Sequence, residues 1–393
     1  MTDVLLLDLL LMALLIGYVI YGFSSGLSRS AFVIAGVVAG VVASFFLTPL
    51  VTNWVPWAWI RPGVTVATLL ILVAAGHALG SAIGRAVRRG IAKTALSGLD
   101  RVLGALVTGV AAALIAAVVG TSVGQLGFPA LSRAIAGSTV LRTINTLTPD
   151  PVEAWVAQLK SLVATSGIPV ISDAFAGKPP AVPQLDTGSA ALNTAAASVV
   201  RITGNAYACG VSQSGTGFVV ADDRVVTNAH VVAGVAEPVV EAPNGEAIAG
   251  YIVYFDPIDD LAVIAVPGLS AAPLRLGTTL SAGADAAVQG YPFGGPFTAG
   301  GAEVVRVSVA QVENIYGTST QPREVYTLAA DVLQGNSGGP LLALDGSVTG
   351  VVFAKSADTD HVGYAMTMAE LNPVASQAAG LDGTVSTGEC IGN

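Results

Sequence analysis

The chain has 393 residues, of which 53% are hydrophobic and only 11% charged, with a mean hydropathy of +0.70. An average soluble domain carries about 25% charged residues, so a single soluble globule is excluded. So is a disordered chain, because too much apolar material needs burial. The net charge of −9 is unevenly spread: residues 1–126 hold seven Lys/Arg against Asp3, Asp8 and Asp100, a balance of +4 that leaves −13 for the rest. That acidic remainder offers no basic surface, so nucleic acid is not an expected partner.

Four apolar stretches occupy the first third, at about Val4–Phe23, Ala31–Leu50, Val64–Ile83 and Val102–Leu126. Each approaches or exceeds the ~20 residues that cross a bilayer's hydrocarbon. Their apolar residues cover every face, unlike a soluble amphipathic helix. Asp3 and the lack of an early Lys or Arg argue against a cleaved leader at the first stretch. Arg85, Arg88, Arg89, Lys93 and Arg101 crowd the loop between the third and fourth stretches. A loop this basic stays cytoplasmic. Counting outwards, Arg29 is also inside, the Trp54–Trp57–Trp59 loop is outside, and both termini lie outside. Glycine pairs at four-residue spacing (Gly22/Gly26, Gly36/Gly40, Gly76/Gly80/Gly84, Gly120/Gly124) predict closely packed helices. His77 is expected to bond a neighbouring helix, and Asp8 to reach the interface. The run Gly22–Phe46 has a glycine turn, one basic residue and a glycine-rich span. It resembles the colicin V production (CvpA) family, which implies a membrane bundle without defined chemistry.

Residues 127–197 read as a connector. Ala130–Thr146 and Val152–Thr165 are candidate amphipathic helices on either side of Pro149–Asp150–Pro151, and Lys178–Pro183 is proline-rich and semi-rigid. The linker is placed at about 166–193, as a spacer or as a segment released on activation. From residue 198 to 393 short β-branched runs recur between turn residues, at 217–220, 224–227, 247–254, 261–266, 286–290, 304–312 and 348–353. This pattern predicts an all-β fold of two small barrels.

Three segments carry chemistry: Thr227–Asn228–Ala229–His230–Val231–Val232, Asp256–Pro257–Ile258–Asp259–Asp260–Leu261, and Gly335–Asn336–Ser337–Gly338–Gly339–Pro340. The order His, Asp, Ser is that of the chymotrypsin arrangement, not of subtilisins or α/β-hydrolases. With these motifs the chain resembles the chymotrypsin/HtrA-like serine proteases. Within them it is most similar to the membrane-anchored periplasmic proteases of actinobacteria, which couple four CvpA-like spans to such a domain. The resemblance implies that Ser337 is the nucleophile, His230 its base and Asp260 the carboxylate that orients the imidazole. Asp259 and Asp256 remain competitors for the third role. Backbone N–H groups of Gly335 and Ser337 would form the oxyanion hole. His361 reads as a surface or pocket-lining residue.

Asn336 stands where enzymes matured by cleavage carry an aspartate that pairs with a new N-terminus, so that switch is not expected. Asp331 falls where trypsin-like enzymes place the floor of the specificity pocket, and Lys355 on a later strand is positioned to neutralise it. Cys209 and Cys390 both fall in the half placed outside the membrane, where disulfides persist. A bridge between them is expected, with Cys209 ahead of the first barrel strand. No metal-ligand cluster or phosphate-binding glycine loop occurs, so neither metal nor cofactor is expected.

The expected protein is therefore a four-helix α transmembrane bundle (1–126), a connector (127–197) and an all-β double β-barrel, chymotrypsin-like domain (198–393). It would be a multi-pass cell-membrane serine endopeptidase cutting proteins outside the cytoplasmic membrane. The resemblance implies a role in envelope maintenance under acid stress, with cell-wall hydrolases among the substrates. The alternative is a membrane scaffold or transporter with a protease-like binding module.

Overall fold

The structure, a computed structural model, describes residues 2–53, 61–91, 97–124, 131, 134–135, 137–149, 152, 168–171, 181–206 and 211–391. The chain divides into two compact units, residues 8–117 and residues 1–7 with 118–393. The tryptophan loop at 54–59 and most of the second connector helix fall outside the described residues.

Among the described residues three helices are long and apolar enough to cross a membrane. They are α1 (Thr2–Asn53), α2 (Arg61–Ile91) and α3 (Ser97–Gly124). The first two apolar stretches lie within α1 as two helices that meet at a kink at Gly26, where the backbone is not helical (φ 74°, ψ 159°). Only glycine adopts that conformation readily. The break leaves the Ser28 backbone N–H without a helical partner, and the Asp100 carboxylate supplies one at 2.9 Å, also accepting from Ser28 Oγ at 2.7 Å. A carboxylate at a helix start satisfies orphan donors and suits the helix dipole.

The glycine pairs face one another. A Cβ at Gly36 would strike the Gly76 carbonyl, one at Gly40 the Leu72 carbonyl, and one at Gly22 the Gly104 carbonyl. Apolar helices gain nothing from the hydrophobic effect within lipid, so this backbone proximity supplies their attraction. His77 differs from expectation: it is exposed on α2 and makes no hydrogen bond among the described residues.

The remaining unit is β-rich. After α4 (Thr139–Leu147), the two-residue strand β1 (Val170–Ile171) and α5 (Ala190–Ala196), two seven-stranded sheets follow. The N-terminal sheet runs β6-β5-β2-β3-β4-β8-β7, built from β2 (Val199–Ala206), β3 (Val211–Ala221), β4 (Arg224–Thr227), β5 (Val239–Glu241), β6 (Ala247–Ala249), β7 (Tyr251–Asp256) and β8 (Leu261–Ala265). The C-terminal sheet runs β1-β13-β12-β9-β10-β11-β14, with β13 also paired to β14 so that six strands close on themselves. Its strands are β9 (Asp285–Gly290), β10 (Thr298–Glu313), β11 (Thr320–Ala329), β12 (Pro340–Ala343), β13 (Val348–Ser356) and β14 (Val362–Thr367). Each sheet curls around its own apolar core, with Ile202, Val225 and Ile264 in one and Val304, Leu328 and Leu341 in the other.

Three local expectations are corrected. The run 247–254 is split at Gly250, where a Cβ would lie 2.6 Å from Ile264 Cγ2 and side chains are excluded. The first strand of the N-terminal sheet is β2, which precedes Cys209 rather than following it. Within the stretch read as linker, Val170 and Ile171 pair in parallel with Lys355 and Ser356.

Gly76→Leu should prevent close approach of the helices and lower the detergent melting temperature of the full-length protein. Gly17→Leu should leave it unchanged, because nothing lies within 4 Å of a Cβ there. Equal melting of the two variants would refute the glycine contact.

Candidate active site

His230 sits on α6 (Ala229–Val232), a single turn directly after β4, and Asp260 ends the turn that feeds β8. Pairing of β4 with β8, Thr227 opposite Ala262, brings the two residues together. The His230 Nδ1 lies 2.8 Å from Asp260 Oδ2 and 3.0 Å from Oδ1, and the His230 backbone N–H donates to Oδ1 at 2.9 Å. A carboxylate accepts only, so it holds the proton of a neutral imidazole on Nδ1 and leaves Nε2 as the basic nitrogen.

Asp260 is 3% exposed and has a left-handed backbone (φ 56°). Its carbonyl accepts from Asn228 Nδ2 at 2.8 Å, which fastens that conformation to the residue two before His230. Neither competing carboxylate bonds the His230 ring among the described residues. Asp256 Oδ1 accepts from the N–H groups of Ile258 and Asp259, capping the turn. Burial and the nearby Asp256 push the Asp259 carboxyl upward.

Ser337 is 2% exposed, and its Oγ has no hydrogen-bond partner among the described residues. A buried hydroxyl without a partner costs desolvation with no compensating bond, so its position calls for an explanation. The planar peptide groups around it are set by their carbonyls. The Gln334 carbonyl accepts from the Phe293 N–H at 2.6 Å, and the Asn336 carbonyl from the Gly339 N–H at 2.9 Å. In each plane the N–H on the opposite side belongs to Gly335 or Ser337, and neither donates to any acceptor among the described residues. Gly335 has φ 95°, and a Cβ there would strike the Tyr291 carbonyl, so glycine is required twice over.

Thr216 on β3, fully buried, joins the sheets at this point. Its N–H donates to the Ser337 carbonyl at 2.9 Å and its Oγ1 to the Gly335 carbonyl at 2.6 Å. Oγ1 also accepts from the Tyr291 N–H at 3.0 Å, and the Thr216 carbonyl accepts from Thr227 Oγ1 at 2.7 Å. Strand β4 and the serine loop are thereby held to one residue. Sequence reasoning missed Thr216; the only signal was its place between Gly215 and Gly217. It also missed Arg323, 1% exposed, whose Nη2 donates to the Glu313 carbonyl at 2.9 Å. Burial lowers the Arg323 pKa, while Asp260, Asp259, Glu370 and Asp256 oppose that shift.

Asp331 does not lie on a buried floor. It is exposed and bonds His361 Nδ1 at 2.5 Å, so its partner is His361 and not Lys355. Lys355 is exposed on β13. Cys209 lies outside the described residues. Cys390 is in the exposed C-terminal tail and is not a free thiol. That tail is docked on the N-terminal sheet, with Val385 N–H donating to the Ile252 carbonyl at 2.9 Å and Gly234 N–H to the Thr387 carbonyl at 3.0 Å. No group of three or more His, Cys, Asp or Glu is placed to hold a metal among the described residues.

Two family models match the chain: colicin V production protein over residues 7–149 and trypsin-like peptidase domain over residues 215–351. The chain is 39% identical over 273 residues to the serine protease Rv3671c of Mycobacterium tuberculosis, covering 67% of each. It is 34% identical over 184 residues to a probable periplasmic serine endoprotease, DegP-like, of Halomonas elongata, 44% of this chain and 36% of that one. The crystal structure of the Rv3671c protease in its active form superposes with a TM-score of 0.52 at 37% identity, covering 58% of this chain and 97% of that one.

Thr216→Val keeps the shape but removes the donor to Gly335 and the acceptor for Tyr291. Leaving buried partners unsatisfied costs about 1–3 kcal/mol, so kcat should fall roughly tenfold to a hundredfold with KM little changed. Thr216→Ser should restore it; a wild-type kcat in Thr216→Val would refute the role. His361 is held above the ordinary imidazole value by its bond to Asp331 and by that carboxylate's charge. The pairing is therefore full at low pH and lost as pH rises through the raised value. Asp331→Asn should lower the His361 titration midpoint in an NMR titration; an unchanged midpoint would contradict the contact.

Proposed function

The chain belongs to the family of serine proteases that join a colicin V production region to a trypsin-like peptidase domain, and we propose that Ser337, His230 and Asp260 are its catalytic triad. It is a membrane-anchored serine endopeptidase acting on protein substrates. The observation that carries the site assignment is the pairing of His230 Nδ1 with the buried Asp260 carboxylate, which leaves Nε2 basic. It lies on the loop packed against Gly338: a Cβ there would come 2.9 Å from the Asn228 nitrogen. A scaffold with a binding module has no need of this arrangement.

Ser337 Oγ attacks the substrate carbonyl while His230 Nε2 takes its proton. Asp260 holds the imidazole and stabilises the imidazolium that results. The charge that develops on the carbonyl oxygen is met by the free N–H groups of Gly335 and Ser337, one such donor being worth about 3 kcal/mol. His230 then protonates the leaving amine, and the acyl-enzyme forms. Water, deprotonated by His230, releases the second product and restores Ser337.

The break at Gly26 divides α1 into two segments each long enough to span, which supports four crossings. The cationic end formed by Arg29, Arg85, Arg88 and Arg89 supports a cytoplasmic placement for that side. Four crossings then place both termini and the protease domain outside. The boundaries 1–126, 127–197 and 198–393 are kept for these parts, although residues 168–171 join the C-terminal sheet. The docked tail supports a bridge between Cys209 and Cys390, to be tested by non-reducing peptide mapping. Envelope proteins, with cell-wall hydrolases among them, are the substrates this placement makes accessible, in envelope maintenance or acid-stress resistance.

Asp260→Asn should reduce kcat by about 10⁴-fold through loss of the correct tautomer, whereas Asp259→Asn should stay within a few-fold of wild type. A larger loss from Asp259→Asn would transfer the role. A reporter fused after Asn393 should signal outside the membrane; a cytoplasmic signal would overturn the topology.

A further inference from the structure

We propose that the connector segment Ile168–Ile171 caps a peptide-binding edge beside the nucleophile, holding the place of an extended polypeptide substrate. The inference takes Ser337 as nucleophile, as proposed above. Strand β13 leaves β12 at the Pro340–Val351 pair. Its next residue, Val352, is bonded by the serine loop itself, with Gly338 N–H donating to the Val352 carbonyl at 2.8 Å and Val352 N–H to the Gly339 carbonyl at 2.9 Å. Beyond Val352 one side of β13 stays on β14, through Ala354–Tyr364 and Lys355–Gly363. The other side is a strand edge that begins where the serine loop ends. An extended peptide with its carbonyl at Ser337 can run along that edge and complete the ladder, as added strands do.

The ladder groups there are already taken. Lys355 N–H donates to the Pro169 carbonyl and Ala357 N–H to the Ile171 carbonyl, both at 3.1 Å. Ile168 is 7% exposed, in the same apolar cluster as Ala330, Val332 and Val352. Among the described residues, buried Ile168, half-buried Ile171 and a two-residue strand make a small hold that a longer peptide strand can displace. Lys355 is directly opposite Val170, which is uncharged and 57% exposed. An incoming strand with Asp or Glu at that place gains an ion pair that the resident segment lacks. The edge therefore selects extended peptides with an acidic side chain opposite Lys355.

The test uses the full-length protein in detergent with fluorescently labelled casein. Val170→Lys sets like charges opposite each other and should lower KM about two- to fivefold, the range that opposed strand charges are worth. Val170→Glu should raise KM by a similar factor. Ile171→Pro, which removes a ladder N–H, should lower KM further. Because Val170 is exposed, its two variants report even where Ile171→Pro fails to fold. Casein cleavage that requires Ser337, with the same KM in wild type and both Val170 variants, would overturn the cap. Cleavage that survives Ser337→Ala would instead remove the nucleophile assignment. If every folded variant is inert, both fall.

Discussion

The proposed active site depends on two curled sheets meeting at one buried threonine. Thr216 belongs to the N-terminal sheet, yet its N–H and Oγ1 bond the Ser337 and Gly335 carbonyls of the C-terminal one. The proposed nucleophile comes from one sheet and the proposed base with its carboxylate from the other, so neither alone assembles the site. Catalysis of this type requires placement within about half an ångström. Short bonds from a fully buried residue to both sides of the oxyanion loop provide that rigidity. The same loop is braced from behind, where Phe293 holds the Gln334 carbonyl and Arg201 Nη1 holds the Gly294 carbonyl at 2.8 Å. The loop that carries the proposed oxyanion hole is thus held by bonds on both sides.

The membrane region solves a different problem by a related device. Within lipid the backbones are held by carbonyl-to-glycine proximity, with Asp100 fastening the start of the helix after Gly26. Small residues and one half-buried carboxylate replace the apolar core that organises the protease domain. This accounts for the divided composition of the chain. Its +4 half is helical and glycine-stitched, and its −13 half is a β domain whose charged groups serve turns and pairs.

Much of this was legible in the sequence because the chemistry demands particular residue types. A base after a strand, a serine between glycines and apolar runs of bilayer length each leave a local signature. The three carboxylates at 256, 259 and 260 could not be separated by spacing alone. They are distinguished by the bonds of Asp260 to His230, made 30 residues away in the chain. Thr216 was invisible because its partners lie across the sheets, and Arg323 because its partner is a backbone carbonyl, which any residue supplies. The strand at Val170–Ile171 is too short to show a period, whereas the glycine turn between the first two apolar stretches was legible, and the break at Gly26 falls in it. Asp331 looked like a pocket floor by position, while its pairing with His361 depends on the β11–β14 register.

The most direct test of the central claim is covalent labelling of the full-length protein by a fluorophosphonate, followed by peptide mass mapping. The account predicts one adduct, on Ser337, with labelling strongly slowed by His230→Ala and by Thr216→Val. An adduct on another residue, or an unchanged labelling rate in His230→Ala, would contradict it.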